Sequence, residues 1–132
     1  MTKKKGISEA YLDNIFSTYI RLRDADDDGY IRCCECGQWF WWKNATNGHF
    51  AKRRHRTLRW DERNCHAQCA PCNGQDLNLR YVDFMVERYG PEIWGVLNAQ
   101  KNNRGKITPA ERKIMAENYK HKIKQLKKEK GL

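Results

Sequence analysis

Asn64-Cys65-His66-Ala67-Gln68-Cys69-Ala70-Pro71-Cys72-Asn73 ends in a CxxC turn, and Cys33-x-x-Cys36-Gly37 supplies its match 32 residues upstream. A CxxC turn lets two thiolates converge on one ion, and two such turns close a tetrahedral site. The spacing therefore predicts a structural Zn2+ held by Cys33, Cys36, Cys69 and Cys72. A redox dithiol or buried free thiols are the competing readings. Cys34 introduces a register ambiguity, and Cys65 is expected to be a buried bystander.

Working outward, Ser8 is a candidate N-cap, and Leu12, Ile15, Phe16, Tyr19 and Ile20 recur at helical spacing, which predicts a first helix over 8–23. Tyr30–Cys33, Trp39–Trp42 and Thr57–Trp60 read as short strands. Helical pattern returns at Tyr81, Val82, Phe84, Met85 and Tyr89, stops at Gly90-Pro91, and resumes briefly at Ile93–Leu97. Asn102–Gly105 reads as a turn. Thr108-Pro109-Ala110-Glu111 is a capping-box signature for a last helix reaching Lys130, with Ile114, Met115, Tyr119, Ile123 and Leu126 on one face. The expected class is α+β in a single domain over 1–132: a zinc-braced core at 30–90 and a helical extension at 91–130.

The chain carries 26 Lys plus Arg against 16 Asp plus Glu, a net charge of +10. That balance favours a polyanionic partner, because each phosphate contact releases counterions. No apolar run reaches the length of a membrane span and no leader-like segment opens the chain, so no membrane role is expected. Asp24-x-Asp26-x-Asp28-Gly29-x5-Glu35 matches a calcium-loop pattern. It lacks a helix after the glutamate, and its tenth and eleventh positions are Cys33 and Cys34, so no calcium is expected.

Between the knuckles stand Gly48-His49-Phe50, Leu58-Arg59-Trp60-Asp61 and Asn64. With Asn73 directly after the last cysteine, the chain resembles HNH endonucleases, whose ββα-metal (His-Me finger) fold is implied for the core. A narrower resemblance covers about 16–126. Its marks are Tyr19-Ile20-Arg21-Leu22-Arg23-Asp24, Cys33-x-x-Cys36-Gly37, Gly48-His49-Phe50, Leu58-Arg59, Asn64-x-His66-x-Gln68-Cys69-x-x-Cys72-Asn73, Tyr81, Tyr89-Gly90 and Tyr119 to Leu126. These are similar to the phage recombination endonucleases of the NinG or Rap family. The resemblance implies a cytoplasmic, phage-encoded enzyme that cuts branched DNA such as Holliday junctions. It also implies catalytic roles for His49, Asn64 and Asn73 and a catalytic Mg2+ or Mn2+. His49 would be the general base, its ordinary pKa near 6.5 allowing it to take a proton at neutrality. Asn73 would be a metal ligand, and Asn64 would orient His49 or brace its loop.

Many HNH enzymes carry an Asp directly before the base, where this chain has Gly48. His66 is the first candidate to complete the metal site, followed by His55, Asp61 and Asp76. Lys52, Arg53, Arg54, Arg56 and Arg59 follow the proposed base and are expected to grip phosphate. Trp39, Trp41 and Trp42 are candidates for base stacking, with core packing as the alternative for at least one face. The basic tail 120–130 is expected to track phosphates or to support a homodimer. The rival function is a non-catalytic zinc module that binds DNA or protein.

Overall fold

The computed structural model describes residues 6–75, 79–101 and 106–132, in an α+β arrangement of five helices and two small sheets. The first helix, α1, spans Glu9–Asp24; the Ser8 side chain accepts the Tyr11 N–H at 3.1 Å and caps it. Strands β1 (Tyr30–Arg32) and β2 (Trp39–Trp41) form an antiparallel hairpin around the first cysteine knuckle. Strands β3 (Thr46–His49) and β4 (Cys65–Gln68) form a second hairpin with Gly48 opposite His66. A one-turn helix, α2 (Ala70–Asn73), follows β4 through the second knuckle. Helices α3 (Leu79–Tyr89), α4 (Ile93–Lys101) and α5 (Pro109–Lys130) complete the chain. The predicted turn at 102–105 lies outside the described residues.

The expected strand at Thr57–Trp60 is not formed; Arg56–Leu58 makes a 3-10 turn instead. Burial still alternates there, since Leu58 and Trp60 are buried while Thr57 and Arg59 are not. The two buried residues, however, enter different cores. Leu58 packs with Tyr81, Met85, Ile93 and Leu97, and Trp60 packs with Leu12, Phe16 and Tyr119. The true second hairpin escaped notice because β3 reads Thr-Asn-Gly-His, with no apolar alternation at all.

α5 runs parallel to α1. Arg112 donates to the Ile7 carbonyl at one end, and Lys130 caps the other through the carbonyls of Leu22, Arg23 and Ala25. Leu12, Phe16, Tyr19, Ile20, Ala116 and Tyr119 are buried between the helices. Met115, Ile123 and Leu126 also turn inward, whereas Ile114 is 61% exposed and does not share that face. The apolar face of α5 is thus taken up within the chain. Glu62 fastens both helices to the turn before β4, accepting from the hydroxyls of Tyr19 at 2.6 Å and Tyr119 at 3.2 Å. Arg23 donates to the carbonyls of Glu62 and Cys65, and Asp24 accepts the Ala67 N–H, so the end of α1 is latched to β4.

In the 24–35 segment, Asp24, Asp26 and Glu35 serve this same framework. Asp26 accepts the N–H groups of Asp28 and Tyr30, and Glu35 accepts that of Arg80. The chain then enters β2 where a calcium loop would need a helix.

Candidate metal centre and active-site cleft

Cys33, Cys36, Cys69 and Cys72 bring their sulfurs within 4.8 Å of one another, with Cys36 and Cys69 Sγ atoms 3.9 Å apart. Ligands about 2.3 Å from a tetrahedral zinc ion lie roughly 3.8 Å from each other, so the donor set and spacing fit one Zn2+. Gly37, at φ +75°, makes the left-handed step that lets its N–H return to the Cys33 carbonyl and close the knuckle. The N–H groups of Cys36 and Cys69 both point at Cys33 Sγ. Burial would push this thiol up, but those donors outweigh it and hold its pKa below the ordinary thiol value. Cys34 and Cys65 stay outside the cluster; both are buried, and burial pushes their thiols far up.

Beside this centre, a cleft of about 670 Å³ is lined by residues that include His49, Asn73, Asn47, Asp13, Arg21 and Lys52. His49 ends β3, and its Nε2 lies 2.8 Å from the Arg59 carbonyl oxygen. A carbonyl can only accept, so Nε2 carries the proton and the lone pair sits on Nδ1. Burial, foremost among the causes, lowers the His49 pKa and keeps the ring neutral. Asn73 ends α2 and donates from Nδ2 to Thr46 Oγ1 at 3.1 Å, which leaves Oδ1 as an available oxygen donor. Asn47, from the same strand as His49, lines the cleft beside it, and its buried Oδ1 has no hydrogen-bond partner.

His66 does not complete this site. It is wholly buried against α3, with Nδ1 3.1 Å from the Tyr81 hydroxyl and Nε2 2.8 Å from that of Tyr89. Tyr81 donates its own proton to the Gly48 carbonyl at 2.7 Å. His66 Nδ1 must therefore donate to Tyr81, leaving Nε2 to accept from Tyr89. Burial lowers the His66 pKa to about 3, so the ring is neutral. Its hydrogen bonds hold α3 against β4, the strand paired with the one that carries His49. His55 and Asp61 border 3-10 turns and are absent from the cleft lining, while Asp76 lies outside the described residues. Gly48 cannot simply be replaced by Asp, because a Cβ there would run into the Gln68 side chain.

Asn64 is also redirected. It is fully buried; Oδ1 accepts the Ala51 N–H at 2.8 Å, and Nδ2 donates to the carbonyls of Ala51 and Leu58 at 2.9 and 3.0 Å. It pins both ends of the loop between His49 and Arg59, and its hydrogen bonds go there and not to the imidazole. Of the two expected roles, bracing is the one its geometry serves.

The basic run divides. Arg59 is not a free phosphate clamp: its side chain is only 17% exposed and its guanidinium grips Asp13 and Glu9. That grip fixes the residue whose carbonyl orients His49. Arg56 pairs with Glu9, and Arg53 pairs with Asp13 while still lining the cleft. Lys52 lines the cleft without an ion pair among the described residues, and Arg54 is exposed but off the lining. Asp13 also accepts from Trp60 Nε1 at 3.0 Å. Burial would raise its pKa, but Arg59, Trp60 and Arg53 hold it below the ordinary carboxylate value.

Sequence reading missed the contribution of α1, whose residues Asp13, Asn14, Ser17 and Arg21 form one wall of the cleft. A signal was there: 13, 17 and 21 repeat every four residues as a polar stripe beside the apolar one. Trp42 is buried and Trp39 is 59% exposed, with Trp41 packed on Tyr30.

Among the described residues, no helix is long and apolar enough to cross a membrane. No solved structure matches the chain. It is similar to the ninG proteins of Escherichia phage 933W and Escherichia phage lambda, each 31% identical over 120 residues, and of Salmonella phage P22, 29% identical over 119. Each alignment covers 84% of this chain and 53–54% of the relative, so the chain spans about half the length of the curated relatives it matches. A family model described as the bacteriophage lambda NinG protein matches residues 1–129. With nearly its whole length matched to that model, the chain belongs to the NinG family of phage proteins.

Proposed function

We propose that this protein is a metal-dependent endonuclease that hydrolyses phosphodiester bonds in branched DNA, on a ββα-metal core braced by Zn2+ at the four cysteines. The observation that carries the reading is His49. Its Nε2–H is tied to the Arg59 carbonyl, which leaves Nδ1 unprotonated on a ring that lines the same cleft as Asn73. The succession β3, β4, α2 around this histidine and the knuckle agrees with that core.

His49 Nδ1 takes a proton from water as the water oxygen attacks phosphorus, and the bond to the 3′ oxygen breaks as that oxygen leaves. Asn73 Oδ1 is the residue oxygen suited to hold a divalent ion there. Mg2+ or Mn2+, when bound, would supply positive charge against that developing on the phosphate. Lys52 and Arg21 line the same cleft and add charge against phosphate. Branch preference rests on family resemblance, and phage DNA recombination is the setting that resemblance implies.

The test is incubation of zinc-loaded protein with a labelled four-way junction and Mg2+ or Mn2+, wild type against His49→Ala. Metal-dependent nicking is expected from the wild type and is lost in the variant. Its rate falls with pH on a limb centred below about 6.5, because burial depresses the His49 pKa. No nicking by either protein would leave the non-catalytic zinc module as the better reading.

A further inference from the structure

Arg21, Lys43 and Lys127 come from three separate elements yet gather round one indole. The Arg21 guanidinium lies 5.6 Å from the centroid of Trp42, Lys43 Nζ 5.6 Å and Lys127 Nζ 5.7 Å. Trp42 is itself buried, so it is a platform for cations and cannot stack on a base. Arg21 is held in place by its bonds to the Ser17 and Trp42 carbonyls. None of the three is paired with a carboxylate among the described residues. In the run after His49, by contrast, Arg53, Arg56 and Arg59 share the two carboxylates of Glu9 and Asp13. Unopposed charge at the cleft therefore lies on Lys52 and Arg21, which both line it, and from Arg21 it continues outward to the exposed Lys43 and Lys127.

We infer that the Arg21–Lys43–Lys127 ridge around Trp42 is a phosphate track, which carries the backbone of a DNA arm away from the cleft. Three like charges brought together over an electron-rich ring, without counter-ions, form a surface that an array of phosphates neutralises with release of counterions. The inference rests on the nuclease reading for what occupies the cleft, but the track is tested by binding and not by cutting.

The experiment measures fluorescence anisotropy of zinc-loaded protein on a labelled four-way junction, without added divalent ion, across a salt series. The double variant Lys43→Gln, Lys127→Gln is compared with wild type and with Lys113→Gln, Lys120→Gln, which removes the same charge from the stretch of α5 beside Ile7, Ser8 and Tyr11. Two lost phosphate contacts should reduce the slope of log affinity against log salt by about 1.8. The control pair should leave the slope within about 0.5 of wild type. With junction arms trimmed to little more than the branch, the difference between wild type and the ridge variant should vanish. The proposal is overturned if the ridge variant keeps the wild-type slope, if the control pair loses as much, or if arm length makes no difference. Wild-type nicking with an unchanged ridge slope would sink the track and spare the enzyme; a lost slope without nicking would do the opposite.

Discussion

Asn64→Ala separates bracing from chemistry. The amide makes three hydrogen bonds to backbone groups sealed from water: the Ala51 N–H and the Ala51 and Leu58 carbonyls. Truncation strands all three. An orphaned buried polar group costs about 1–3 kcal/mol. Water entering the vacated space recovers part of that, so the expected loss is roughly 3–5 kcal/mol. This is a large fraction of the stability of about 5–15 kcal/mol usual for a domain. Urea unfolding of the zinc-loaded protein, followed by circular dichroism, should show the midpoint falling by about 2 M. Loss of junction nicking should track the loosening of the 51–58 loop that leads to the Arg59 carbonyl. A midpoint change under about 0.5 M together with abolished nicking would refute this reasoning and make Asn64 a direct participant in the reaction.

Two further outcomes follow from the same contacts. Metal analysis should find one zinc per chain, and Cys36→Ser should lower that content and abolish cooperative unfolding of the β1–β2 and β3–β4 region, because metal binding and folding are one equilibrium here. Stability should decline as pH falls below about 6.5 and continue to decline towards about 3. His66 is depressed in the fold, so the unfolded chain binds its proton first and is favoured across that window. The slope attributable to this group is at most about 1.4 kcal/mol per pH unit. His66→Gln should flatten the decline measured by chemical denaturation, and an unchanged slope would show that the ring is not held neutral.

Much of the frame is legible in the sequence. The two CxxC turns, the Ser8 and Thr108 caps and the breaks at Gly90 and Pro91 are local features, in which residue type and spacing suffice to state the structure. The position of His49 between the knuckles was readable in the same way. The cleft around it was legible only in part. His49, Asn73, Lys52 and Arg53 stand out by motif and charge, whereas Asp13, Arg21 and Asn47 do not.

What the chain alone could not decide is which way a polar side chain turns once distant segments meet. His66 and Asn64 both lie near the second knuckle and offer plausible ligands, yet α3 covers one and the 51–58 loop encloses the other. Arg59 stands in a basic run, and only the packing of α1 supplies the acids that neutralise it. Charge type and metal-binding spacing are inscribed in neighbouring residues. Burial, ion pairing and access depend on partners tens of residues away, and those are chosen by the close packing of the whole fold.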